Sequence, residues 1–132
     1  MNYYHFALSD FKSAETMYTY TEEYDVIVVH CQQYLEKAFK HILDLDVSKE
    51  IPRTHKLTLL ARLINDDELS KHELLYFKLN DCYFDRRYPS HDYIQTSKDE
   101  CNEIYNETRI LKEYIERKYI NGTLKRCTSF GD

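Results

Sequence analysis

Residues Tyr24–Leu45 read YDVIVVHCQQYLEKAFKHILDL, and this stretch decides the fold. Ile27, Cys31, Tyr34, Leu35, Ala38, Ile42 and Leu45 return at helical spacing, and Val28 and Phe39 widen the same apolar face. Opposite them His30, Gln33, Lys37, Lys40, His41 and Asp44 form one polar strip. The spacing predicts a helix over 24–45, and so wide a face predicts a place near the middle of a bundle. The run Val26-Ile27-Val28-Val29 is β-prone by itself. It continues in helical register to Leu45, which makes a strand the lesser reading.

Working outward, Ala7, Phe11, Ala14 and Tyr18 predict a first helix over about Tyr4–Tyr20. Downstream, Pro52 ends a loop and Thr54 offers a cap for a helix over about His55–Asn65, with Leu57, Leu60, Ala61 and Ile64 inside. A fourth helix is expected over about Asp67–Asp85, carrying Leu74, Leu75, Leu79, Cys82 and Tyr83. Pro89 interrupts it, since a proline ring excludes the backbone bond a helix needs there. Arg86–Thr96 is then a structured loop. Ser97 and Glu100 have the spacing of a capping box for a last helix over Lys98 to about Ile120. Its stripe is Cys101, Ile104, Tyr105, Thr108, Leu111, Tyr114, Ile115 and Lys118. Gly122 offers a stop, and Thr123–Asp132 reads as a loose tail. The expected fold class is all-α: an antiparallel up-and-down bundle of four to five helices over residues 1–121, with a tail over 122–132.

Composition supports this. A chain of 132 residues suits one domain, and 2 Gly with 2 Pro leave little material for the tight turns of an all-β fold. The formal charge of −5 means that any nucleic-acid contact must come from a local basic patch. The 13 Tyr, with 6 Phe and no Trp, suit helix seams and dimer interfaces, where a ring is buried and its hydroxyl still finds a partner. Tyr3, Tyr4, Tyr18 and Tyr20 are expected in such packing rather than stacked on bases. Cys31, Cys82, Cys101 and Cys127 are too far apart for a zinc knuckle. No leader and no run of about 18 apolar residues is seen, so a cytoplasmic protein with reduced thiols and no membrane contact is expected. There is no glycine-rich phosphate loop, serine-hydrolase elbow or zinc helix, and no cofactor or metal is expected. His5, His41 and His72 read as surface or rim residues, and Asp66, Asp67 and Glu68 as acids that favour a helix start.

Three clusters remain: His30-Cys31-Gln32-Gln33 with Glu36-Lys37 and Lys40, then Pro52-Arg53-Thr54-His55, then Arg87-Tyr88-Pro89. In this order and in a chain of this size they resemble the HEPN family of small helical domains, from about residue 5 to residue 120. The resemblance implies nucleotide or RNA chemistry and a two-fold dimer. It also implies a separate minimal nucleotidyltransferase as partner, paired with this chain as antitoxin with toxin, with Tyr93 then a site of nucleotide transfer.

Arg86, His91 and Tyr93 are similar to the Arg-x-x-x-x-His-x-Tyr pattern of ribonuclease-active HEPN members. Metal-free RNA cleavage needs a base for the 2′-hydroxyl proton and a cation for the phosphate, roles that His91 and Arg86 would fill. Arg87-Tyr88-Pro89 matches another branch, in which that histidine is often missing, and Pro89 falls inside the Arg86–His91 interval. Three readings stay open. The first is a basic cleft around Arg86, Arg87 and His91 that binds a nucleotide or RNA phosphate, with Lys37, Arg53, His55, Tyr88 and Tyr93 as binding candidates. The second is a metal-independent endoribonuclease using Arg86 and His91. The third is a non-catalytic dimeric helical adaptor. On the long helix the bland reading carries more weight: Glu36 with Lys40, and Lys37 with His41, are ordinary helix neighbours. Gln32 is expected to bond a neighbouring helix or the loop near Arg53.

Overall fold

In the computed structural model, the described backbone covers residues 2–87 and 96–121, and the described side chains are those of the same residues except 81–87. Among these residues every regular element is helical. The elements are α1 (Tyr3–Tyr20), α2 (Tyr24–Asp44), α3 (Leu57–Ile64), α4 (Asp67–Ser70), α5 (Glu73–Arg87) and α6 (Lys98–Ile115). A π-helical turn over Glu116–Ile120 continues α6. None of the described helices is long and apolar enough to cross a membrane.

The long central helix is where the sequence placed it. α2 packs against α1, α3, α5 and α6, and its residues Val28, Cys31, Gln32, Tyr34, Leu35, Ala38 and Phe39 are fully enclosed. Val28, Leu35 and Phe39 each contribute about 1.5–3 kcal/mol by leaving water. A link over 21–23 is short enough to fold α1 back antiparallel on α2. There Thr21 donates its hydroxyl to the Met17 carbonyl (2.7 Å) and accepts from the Glu23 N–H (3.2 Å), which ends α1. Leu45, expected inside, is exposed just past the helix end.

α3 starts at Leu57, and Thr54 is not its cap. Thr54 Oγ1 accepts from the Lys56 N–H in a local turn (3.1 Å). The first orphan N–H of the helix, that of Leu57, is taken by Asn80 Oδ1 from α5 at 2.7 Å, and Asn80 Nδ2 donates to Thr58 Oγ1. Asn65 closes α3 at φ 58°, the left-handed conformation that asparagine tolerates.

The single helix expected over 67–85 is two. α4 ends after one turn, where Lys71 and His72 make short i→i+3 bonds to Glu68 and Leu69. Two side chains hold the break: Tyr76 donates its hydroxyl to the Leu69 carbonyl (2.7 Å), and His72 Nδ1 meets Glu107 Oε2 on α6 (2.6 Å). Leu75, Tyr76 and Leu79 of α5 face inward, whereas Leu74 is 69% exposed. α5 runs to Arg87, two residues beyond the expected end. Of the loop expected over Arg86–Thr96, Arg86 and Arg87 belong to α5 and residues 88–95 lie outside the described residues, as do the stop at Gly122 and the tail.

Ser97 Oγ accepts from the Glu100 N–H (3.1 Å) and opens α6 as the sequence indicated. The π-helical turn accounts for an arrangement that α-geometry alone would not give. In an α-helix, positions five apart point about 140° from each other. Wider i→i+5 winding turns Tyr114 and Tyr119 to one side. Both hydroxyls and Lys118 Nζ reach the Asp66 carboxylate, at 2.6–2.9 Å.

Candidate functional site

The polar strip of α2 is matched by acids from its own chain. His30 Nδ1 lies 3.4 Å from Asp10 Oδ1 on α1, and Lys37 Nζ is paired with the other oxygen of Asp10. Lys37 therefore pairs across a helix seam and not with His41. One turn further on, Lys40 Nζ bonds Glu36 Oε2 at 3.1 Å, the i,i+4 pair expected from spacing. Gln33 donates to Gln32 Oε1 (2.8 Å). The strip carries little uncompensated positive charge.

Glu36 is the centre of this region. Its side chain is only 7% exposed, and Gln32, Lys40 and His55 all point at it. Fully buried Gln32 donates through Nε2 to Glu36 Oε1 (3.2 Å) and to the backbone carbonyl of His55 (3.3 Å). This is the structural role expected of Gln32: it ties the segment after Arg53 to α2. His55 Nδ1 stands 3.0 and 3.1 Å from the two Glu36 oxygens. Arg53, two residues earlier, is exposed and has no ion-pair partner among the described residues.

Arg86 and Arg87 are the last two residues of α5. Asn80 marks the level at which α5 meets the start of α3, and the helix continues about 10 Å beyond that point. α5 runs antiparallel to α3, since Arg62 near the end of α3 meets Glu73 at the start of α5 and Leu57 at its start meets Asn80. Tyr88, His91 and Tyr93 lie outside the described residues. The return of the chain is fixed at Thr96, whose N–H donates to Asp25 Oδ1 at the start of α2 (2.7 Å).

Asp66 forms a second cluster. The helix-start role expected of it is real, with the N–H groups of Glu68 and Leu69 donating at 2.9 and 3.0 Å. Its three partners from the end of α6 carried no sequence signal. Burial works to raise its carboxyl. Hydrogen bonds from Lys118, Tyr119, the Leu69 N–H and Tyr114 outweigh that and hold it well below the usual carboxylate range. A third network joins Tyr34, Tyr4 and Glu116. Tyr4 donates to Glu116 Oε2 (2.9 Å), so the 2.9 Å contact between the two hydroxyls is a bond donated by Tyr34. These two clusters fasten the end of α6 to α1 and to the α3–α4 corner; they are structural.

Among the described residues no group of three His, Cys, Asp or Glu side chains could hold a metal. An open cavity of about 540 Å³ lies between the α1–α2 turn and α6, lined by Tyr18, Tyr20, Tyr24 and Lys98 among others. None of the described residues singled out from sequence for chemistry borders it.

In comparison with known proteins, the family model of the HEPN domain matches residues 2–118. No curated protein and no solved structure matches the chain.

Proposed function

The chain belongs to the HEPN domain family, and on that premise we propose that it binds the phosphate of a nucleotide or RNA where the Arg53–His55 segment meets the end of α5. Arg53, Arg86 and Arg87 are the cations of this site. Guanidinium groups suit it because they present paired donors to phosphate oxygens and keep their charge at any physiological pH. The observation that carries the reading is the contrast in compensation. Lys37 and Lys40 are answered by Asp10 and Glu36, while Arg53 stands exposed without an acid among the described residues. Lys37, a binding candidate by sequence, is assigned to the α1–α2 seam on this reading.

A two-fold dimer goes with the proposal. Leu74 and Phe77 lie three residues apart on α5 and are 69% and 60% exposed, an apolar surface suited to a second copy. The pairing with a minimal nucleotidyltransferase, the toxin–antitoxin setting and nucleotide transfer to Tyr93 rest on family resemblance.

Fluorescence anisotropy with a labelled single-stranded RNA and a labelled adenosine nucleotide, at low salt, tests the reading. Arg53→Glu and Arg87→Glu should each weaken binding by roughly tenfold or more, and Lys37→Glu by much less. Equal losses for all three would place the phosphate on α2 instead. RNA shortened during the assay in EDTA, and left intact by Arg86→Ala and His91→Ala, would move the protein to the metal-independent endoribonucleases.

A further inference from the structure

The cavity between the α1–α2 turn and α6 lies at the end of a column of aromatic rings. Phe11, Tyr105 and Tyr18 stand near-parallel, with 5.8 Å between the first two ring centroids and 3.9 Å between the last two. Phe11 and Tyr105 belong to the core, and Tyr18 is the member of the column that borders the cavity. A planar ring laid against Tyr18 continues the stack. Tyr105 already holds Tyr18 in place, so little side-chain freedom is lost on binding. Tyr24 lines the cavity too, and Tyr20, expected in packing, lines it while 80% exposed. Between Lys12 and Lys37 the chain carries no lysine or arginine, so the sequence puts no cation beside these tyrosines. α6 brings one. Lys98 and Asn102, one turn apart, both border the cavity, and neither side chain has an ion-pair or hydrogen-bond partner among the described residues. At about 540 Å³ the space has the size of a small-molecule site, with aromatic walls and a few polar groups.

We propose that this cavity is a nucleobase subsite, in which a base of a single-stranded RNA stacks on Tyr18 and bonds the Asn102 amide through its edge, with Lys98 Nζ on the adjoining phosphate. A carboxamide offers a donor and an acceptor side by side, the pattern that a base edge presents. Stacking leads here and charge does not, because the α1–α2 turn sets Glu22, Glu23 and Asp25 against one lysine. The place of the cavity suits a strand that also meets the phosphate site. Tyr76 of α5 packs on Phe39 of α2 (5.3 Å), and one turn later Asn80 bonds the Leu57 N–H, close to the His55 carbonyl that Gln32 holds. α5 therefore runs against α2, toward the end that carries Tyr24, and Arg86 and Arg87 close it on that course. The chain comes back to the same end at Thr96, on Asp25. The inference rests on the phosphate-binding reading above and names its ligand: a single strand held by a base in one place and by phosphates in another.

The test is anisotropy with a labelled single-stranded RNA and with an abasic ribose-phosphate chain of the same length. Wild type should bind the intact RNA roughly tenfold more tightly than the abasic chain. Tyr18→Leu and Asn102→Ala should each remove most of that difference and leave abasic binding unchanged, while Tyr18→Phe keeps the ring and should keep the difference. Arg53→Glu should weaken both ligands by the same factor. Should Tyr18→Leu fail to fold, Asn102→Ala and Tyr20→Ala carry the test, since neither residue belongs to the core and each should reduce the difference. Equal wild-type binding of the two chains, or a difference that survives in every folded cavity variant, overturns the base subsite and leaves the phosphate site standing. A difference lost in the cavity variants, with Arg53→Glu and Arg87→Glu without effect, supports the subsite and removes the phosphate reading. Absence of wild-type binding to either chain removes both.

Discussion

Replacing Asp66 by alanine should produce the largest loss of stability of any polar substitution among the described residues. The side chain is 1% exposed, caps α4 through two N–H groups and accepts from Tyr114, Lys118 and Tyr119. A lost N-cap costs about 1 kcal/mol. Each tyrosine hydroxyl deprived of a charged acceptor costs on the order of 1 kcal/mol at these half-buried positions. The half-exposed lysine adds less than about 1 kcal/mol. The total is about 3 kcal/mol, which for a domain of this size lowers Tm by on the order of 10 °C. Asp66→Asn, which keeps an acceptor for the cap, should lose about half of that. Because the folded carboxyl is held below its ordinary value, its contribution is complete above a pH of about 5 and drains away as pH falls further. Urea melts of wild type and Asp66→Asn from pH 7 to 3 should therefore differ by a constant amount down to about pH 5 and converge below about pH 4. A loss under about 1 kcal/mol for Asp66→Ala, or a gap that widens in acid, would refute the reasoning.

Other substitutions probe the remaining junctions. Asn80→Ala strips the Leu57 N–H of its partner across the α3–α5 contact and should cost about 1–2 kcal/mol in denaturant melts, whereas Thr54→Ala should cost less. Tyr4→Phe removes the hydroxyl between Tyr34 and Glu116, leaves the buried Tyr34 hydroxyl without its acceptor, and should cost about 1–2 kcal/mol by the same measurement. Burial pushes the Cys31 thiol up to about 12 and the Cys101 thiol up to about 11. Neither should react with a thiol reagent at pH 8 in the folded state, and both should react at once in denaturant; rapid native labelling of either would contradict their packing.

The fold was legible wherever one helix reports on itself. The apolar face of α2, the inward residues of α3 and the Ser97 cap of α6 all follow from periodicity and spacing within a few turns. So does the Glu36–Lys40 pair. What escaped the sequence depends on partners far along the chain. Asp10 answers Lys37 from 27 residues away, Asn80 caps α3 from 23 residues away, and Asp66 is met by side chains about 50 residues downstream. No local pattern encodes these contacts, because they exist only after the helices pack. The break between α4 and α5 was hidden for a related reason: the helical spacing of apolar residues runs through Lys71 and His72, and only Tyr76 and Glu107 in three dimensions show what holds the chain open there. Of the site, the Pro52–His55 segment and Gln32 were singled out from sequence. The burial of Glu36, which orients His55, was not, since an acid two residues before an alanine-phenylalanine pair looks like any helix-surface residue.

The most direct test of the account is the salt dependence of single-stranded RNA binding. With Arg53, Arg86 and Arg87 on the phosphate, the plot of log affinity against log salt should have a slope of about −2 at a pH where imidazole is neutral. Arg53→Ala and Arg87→Ala should each reduce it by about 0.7, and Lys37→Ala should leave it unchanged. A slope that follows Lys37 and ignores Arg53 and Arg87 would contradict the site proposed here.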